Sequence, residues 1–201
     1  MGVLVGRTAP DFTVPAVLGC GEIVSDFKFS DTIKGKYAVL FFYPLDFTFV
    51  CPSELLAFDK RFKEFTDRGV ELVGVSIDSH YSHNAWRNTP VNAGGIGAVQ
   101  YTLAADVKHE ICQAYGVEHP EAGVAFRGSF LIDKKGMVRH QVVNDLPLGR
   151  DVDEMLRMVD ALQVHEEYGE VCPAGWNKGK KGMKASPAGV AEYLTEHAVS
   201  L

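Results

Sequence analysis

Apolar residues cluster into runs whose periodicity changes along the chain. Residues 37–43, Tyr-Ala-Val-Leu-Phe-Phe-Tyr, are continuously apolar and rich in aromatic and β-branched types. That pattern suits a strand buried on both faces of a sheet, and Pro44 ends it. Beyond it, Leu55, Phe58, Phe62 and Phe65 fall at helical spacing, which predicts an amphipathic helix over residues 52–65. Gly69 closes this helix, and residues 70–77 supply a second buried strand. In such a strand-helix-strand unit, a right-handed crossover puts both strands in one sheet. The helix N-terminus then lies at the end where ligands usually bind.

The flanking segments read more weakly. Residues 8–15 carry two prolines among alternating apolar positions, which forbids helix and allows an edge strand, and residues 22–29 offer it a short partner. A helix opens at Asp78 or Ser79 and includes Trp86. Residues 92–97 form a glycine-rich loop without the spacing of a dinucleotide site. After a short strand ending at Asp106, that aspartate caps a helix containing Ile111, Cys112, Ala114 and Tyr115, in which Cys112 is a packing residue. Residues 126–132 and 137–143 flank a turn and predict a hairpin. Val152, Met155, Leu156, Val159 and Leu162 then mark one face of a long helix. Composition shifts after Val164, so we expect a domain over 1–164 and a C-terminal arm over 165–201, with a last helix across 186–197.

With 201 residues, 46% of them hydrophobic and 23% charged, the chain suits one well-buried domain with a tail. A net charge of −6 gives no reason to expect nucleic acid. Lys178, Lys180, Lys181 and Lys184 lack the interleaved aromatics of such a patch. No apolar run is long enough to cross a bilayer, and no basic segment with an extended apolar core opens the chain; a cytoplasmic location is expected. The four cysteines include no Cys-x-x-Cys pair, which argues against a disulfide scaffold, a thioredoxin-type exchanger and a paired-ligand zinc site. His80 and His83 stand three apart without a carboxylate or cysteine at ligand spacing, and no metal is expected there.

Candidate chemistry centres on Cys51. With Pro52 at the first helical position, Cys51 reads as the N-cap, and Glu54 sits where a capping box places its acid. The helix dipole favours negative charge there by only about 0.3 to 1 kcal/mol, whereas a guanidinium about 4 Å away contributes up to roughly 4 kcal/mol at an effective dielectric near 20. A distant arginine delivered by the fold is therefore needed. The bland alternative is a small buried hydrophobe. Arg127 opens an otherwise apolar strand, out of pattern, and on its own reads as capping an exposed strand end. Arg150 precedes the long helix and by itself reads as a surface ion pair.

Pro44, Thr48 and Cys51 reproduce the Pro-x-x-x-Thr-x-x-Cys signature, and residues 47–54, Phe-Thr-Phe-Val-Cys-Pro-Ser-Glu, resemble the two-cysteine branch of the peroxiredoxins. Arg127-Gly128 before Phe130-Leu131-Ile132-Asp133, the Val-Cys-Pro around Cys172, and Gly94-Gly95-Ile96-Gly97 extend the resemblance. It implies a thioredoxin-like α/β fold, a central mixed sheet flanked by helices, with a C-terminal arm. It also implies homodimers with reciprocal sites, assembled as rings of five. By the same resemblance, Cys51 attacks peroxide, Cys172 of the other subunit resolves it, and Arg127 contacts the reactive sulfur. Thr48 holds peroxide oxygens, Pro44 shields the thiolate, and Glu54 and Arg150 complete the network. The expected substrates are hydrogen peroxide and organic hydroperoxides, with thioredoxin or a flavoprotein disulfide reductase as donor and no bound cofactor, metal, nucleic acid or membrane. Two rival functions are an oligomeric holdase and a protein disulfide exchanger, the latter lacking its Cys-x-x-Cys.

Overall fold

The computed structural model describes residues 2–200 and divides the chain into two compact units, Met1–Val152 and Asp153–Leu201. The first is built on a seven-stranded sheet ordered β2-β1-β5-β4-β3-β6-β7. Its strands are β1 (Thr13–Val17), β2 (Ile23–Lys28), β3 (Tyr37–Phe42), β4 (Val70–Ser76), β5 (Thr102–Ala105), β6 (Arg127–Ile132) and β7 (Val138–Asn144). Its helices are α1 (Phe29–Thr32), α2 (Cys51–Lys60), α3 (Phe62–Asp67), α4 (His80–Asn88) and α5 (Glu110–Ala114). The second unit contains nearly all of α6 (Val152–Tyr168), and α7 (Pro187–His197), with an isolated bridge between Val171 and Met183.

The continuous apolar run becomes the middle of the sheet: every residue of β3 is buried. β3 pairs in parallel with β4, from Tyr37 opposite Val70 to Phe42 opposite Val75, and antiparallel with β6 on its other side. The crossover from β3 through α2 to β4 is the strand-helix-strand unit read from the pattern, and it sets the start of α2 just beyond the end of β3. The hairpin of β6 and β7 is formed around residues 133–136, where Asp133 accepts amide hydrogen bonds from Lys135 and Met137.

Three readings are corrected. The single helix expected over residues 52–65 is two, because Arg61 leaves the helical region at φ −96°, ψ 3°; Phe58 and Phe65 nevertheless stay buried with ring centroids 6.0 Å apart. The helix also starts one residue early. Val50 is already in the helical region and its carbonyl accepts from the amides of Ser53 and Glu54, so Val50 is the N-cap and Cys51 the first helical residue. Finally, β1 is not an edge: it lies between β2 and β5, and β2 is the outer strand. Pro15 is accommodated there because the β1–β2 register shifts between Val14 and Ala16, at the point where an amide donor is missing.

Candidate active site

The turn from β3 into α2 leads to Cys51. Residues 44–50 leave the sheet with Phe47 at φ 53°, a left-handed conformation uncommon for a bulky residue. A buried polar network keeps it there. The Asp46 amide donates to Asp78 Oδ2 at 2.8 Å, the Tyr43 hydroxyl donates to Asp46 Oδ1 at 2.8 Å, and His83 Nδ1 lies 2.8 Å from Asp46 Oδ2. Phe47 packs on Trp86 with ring centroids 5.8 Å apart. Burial, followed by the Asp46 carboxylate, pushes the Tyr43 hydroxyl well above its ordinary value and raises Asp78.

Sequence reading missed this network. The pairing of an acid in the loop with a histidine in the next helix is visible only after folding, although Asp46 is the sole acid between β3 and Cys51. His83 is fully buried. Replacing Asp46 with alanine removes the carboxylate shared by Tyr43 and His83 and leaves their Oη and Nδ1 only the longer 3.4 Å contact with each other, at a cost of about 1–3 kcal/mol. We expect a lower urea midpoint together with slower peroxide turnover; an unaltered midpoint would show that the loop is held by other contacts.

Cys51 is fully buried at the first turn of α2. Arg127 Nη1 donates to Cys51 Sγ at 3.4 Å and to Glu54 Oε2 at 2.5 Å, while its Nε donates to the Leu146 carbonyl at 2.7 Å. The arginine that looked out of place at the start of β6 thus points inward. Glu54 does not return to the helix amides as a capping box would. Its other oxygen accepts from Arg150 Nε at 2.8 Å and from the Arg150 amide at 2.9 Å. Arg150 Nη1 also donates to the Gly128 carbonyl and to Ser129 Oγ. It is no surface pair: the Arg150 and Glu54 side chains are each only 2% exposed.

Two guanidiniums and one carboxylate leave this cluster one positive charge in excess, with Arg127 Nη1 3.4 Å from the Cys51 sulfur. Burial alone would push Glu54 up, but Arg150 and Arg127 outweigh it and hold the carboxyl below its ordinary value. Burial opposes charge on Arg127 as well, yet the hydrogen bond to Cys51 and the Glu54 carboxylate raise it. Arg150 is lowered by burial in spite of Glu54, and its Nη2 is buried without a hydrogen-bond partner.

Pro44 and Thr48 lie on the same turn. Pro44 is buried, and Thr48 donates its hydroxyl proton to the Leu45 carbonyl at 2.9 Å, leaving the oxygen's lone pairs to accept. Cys172 belongs to the second unit. It is a partly buried free thiol whose sulfur lies 3.5 Å from the Ala161 carbonyl, pushed up by burial with Arg157 opposing. His80 has its ring against Tyr81, 4.0 Å between centroids.

Beside the central strands of the mixed sheet, the structure thus brings together a buried cysteine at a helix start, a guanidinium on its sulfur and a second arginine behind a shared glutamate. The chain belongs to the AhpC/TSA family, which it matches over residues 5–141, and residues 161–196 match the C-terminal domain of 1-Cys peroxiredoxin. It is 57% identical to alkyl hydroperoxide reductase C of Helicobacter pylori, over 99% of this chain and 100% of that protein. It is 49% identical to peroxiredoxin-2 of Mus musculus, over 96% of each. The reduced 2-Cys peroxiredoxin of Plasmodium vivax superposes with a TM-score of 0.92 at 49% identity, covering 96% of this chain and 99% of that one. The fold is accordingly thioredoxin-like, as the sequence resemblance implied, and the protein is a peroxiredoxin, an enzyme that reduces hydroperoxides. Among the described residues, no helix is long and apolar enough to cross a membrane.

Proposed function

We propose that this peroxidase works through Cys51, with Cys172 of a second subunit as its resolving thiol. The observation that carries the reading is the Arg127 Nη1 to Cys51 Sγ hydrogen bond at 3.4 Å inside a buried cluster of two guanidiniums and one carboxylate. Cys51 thiolate attacks the terminal peroxide oxygen. A sulfur–oxygen bond forms as the oxygen–oxygen bond breaks, and the departing oxygen takes a proton to leave as water or an alcohol. Arg127 and the N-terminal end of the α2 dipole stabilise charge moving onto that oxygen. Since the Thr48 proton is engaged by Leu45, its hydroxyl oxygen accepts from the protonated end of the peroxide. Pro44 keeps bulk water from the sulfur, while Glu54 and Arg150 fix Arg127 in place.

Cys172 thiol then condenses with the Cys51 sulfenic acid, forming a disulfide and releasing water. A dithiol donor, thioredoxin or a flavoprotein disulfide reductase, reduces that bond by exchange. The catalytic cycle uses no bound cofactor or metal. We assign it to a thioredoxin-like domain over 1–164 with a C-terminal arm over 165–201 that reaches the neighbouring subunit, in a cytoplasmic protein with no nucleic-acid or membrane partner. Homodimers assembling as a decameric ring would cover three exposed aromatic side chains, Phe47 and Phe49 in the loop before Cys51 and Tyr81 on α4, which are 53%, 98% and 71% exposed.

After one equivalent of peroxide, a non-reducing gel should show a covalent dimer, and mass spectrometry should find Cys51 joined to Cys172. In Cys172→Ser protein the dimer should be absent and a sulfenic acid trap should label Cys51. A Cys51–Cys172 linkage within one chain would reject the intersubunit assignment. Sulfenic acid forming elsewhere would reject Cys51.

A further inference from the structure

Away from Cys51, α5 and the segment after it bring together three side chains that the peroxidase cycle does not use. One donor atom from each of His109, Cys112 and Glu118 lies within 4.8 Å of the others. His109 Nδ1 and Glu118 Oε1 are 2.7 Å apart, with side chains 28% and 26% exposed, while Cys112 is buried beneath them. We propose that His109, Cys112 and Glu118 form a binding site for a zinc ion, with solvent supplying the fourth ligand.

The donor set is one nitrogen, one sulfur and one carboxylate oxygen, the mixture that a borderline-soft divalent cation takes and that Mg2+ or Ca2+ does not. With metal–nitrogen and metal–oxygen bonds of about 2.0 Å and a metal–sulfur bond of about 2.3 Å, the edges of a tetrahedral site are roughly 3.3–3.5 Å. The His109–Glu118 contact therefore opens slightly and the longest donor separation closes by about 1 Å. The two partly exposed side chains have room for that adjustment, and the backbone frame is already set. His109 precedes α5 at φ 62°, which turns it out of the helix that carries Cys112. Glu118 is held by a bridge to Ala125, and the turn between them closes with the His119 amide donating to the Val124 carbonyl at 2.7 Å.

The local field has the right sign. Glu118 faces the thiol, and Asp106 stands behind it, accepting from the Ile111 and Cys112 amides at 3.0 and 2.8 Å. Burial and then these carboxylates push the Cys112 thiol far up, so as a redox thiol it is suppressed. The same negative surroundings attract a dication. On binding, the sulfur–metal bond forms as the thiol proton passes to solvent, and affinity should therefore rise with pH, by up to about tenfold per unit.

The test uses the full chain, reduced, with Cys20→Ser, Cys51→Ser and Cys172→Ser removing every other thiol. Titrated with Co2+, it should bind one equivalent with thiolate-to-cobalt charge-transfer absorption, and Zn2+ should displace it. Cys112→Ser should abolish the absorption. Because Cys112 is buried, His109→Ala and Glu118→Gln at the partly exposed positions provide the second arm, each weakening binding by on the order of 10- to 100-fold. Absence of charge-transfer absorption at one equivalent, or affinity unchanged in both of those variants, would overturn the proposal.

Discussion

Peroxide consumption should disappear in Cys51→Ser protein and fall by about 10²- to 10³-fold in Arg127→Ala. Serine at position 51 keeps the shape of the turn and removes the nucleophile. The arginine effect comes from two sources that act together. Arg127 Nη1 is the side-chain donor in contact with Cys51 Sγ, and of the two guanidiniums that share the single Glu54 carboxylate it is the one hydrogen-bonded to the sulfur. Without it the sulfur faces Glu54 across a shortened side chain, and the attacking and departing atoms both lose their stabilising charge. Arg127→Lys should recover only part of the rate, because a single ammonium cannot reach Leu146, Glu54 and Cys51 simultaneously as the guanidinium does. Stopped-flow measurement of the second-order rate constant separates the cases. A rate for Arg127→Ala within threefold of wild type would remove Arg127 from the chemistry.

The second large effect is expected at Glu54, which answers two guanidiniums with one carboxylate. Glu54→Gln leaves both buried charges without a counter-ion, and breaking such a cluster costs about 3–5 kcal/mol, to be read as a lower midpoint in urea. Turnover should fall as well, since Arg127 loses one of its three anchors. The cluster also predicts a pH dependence. The Glu54 carboxyl is held below its ordinary value in the folded protein. Its contribution is therefore fully present above the unfolded-state value near 4.3 and is lost as pH falls through the folded-state value. Wild-type stability should decline on acidification below about pH 4.3 by an increment that Glu54→Gln lacks. Equal pH slopes in the two proteins would show that the ion cluster does not contribute through Glu54.

The local elements were legible in the sequence because their signals are local. The uninterrupted apolar run forms a strand buried along its whole length, and Leu55, Phe58 and Phe65 are buried as their helical spacing required, although two helices broken at Arg61 carry them. Gly69, at φ 67°, ends that segment because a left-handed residue is cheapest as glycine. Cys51 at the start of α2 was equally visible, and the motif around it named the chemistry. The start of the helix at Val50 was not, since a valine carries no cap signal and only the backbone geometry reveals it.

What the tertiary structure decided is how charges distant in sequence meet. Arg127 read alone as a strand end and Arg150 read alone as a surface residue, yet both are buried on Glu54, because β6 lies beside β3 and delivers Arg127 to the end of the sheet where α2 begins. The same is true of Asp46 and His83, which anchor the loop of Cys51 from separate elements. Hydrophobic periodicity specifies which face of an element is inward. It carries no record of which polar group will be waiting there, and that partner exists only once the strands have found their order.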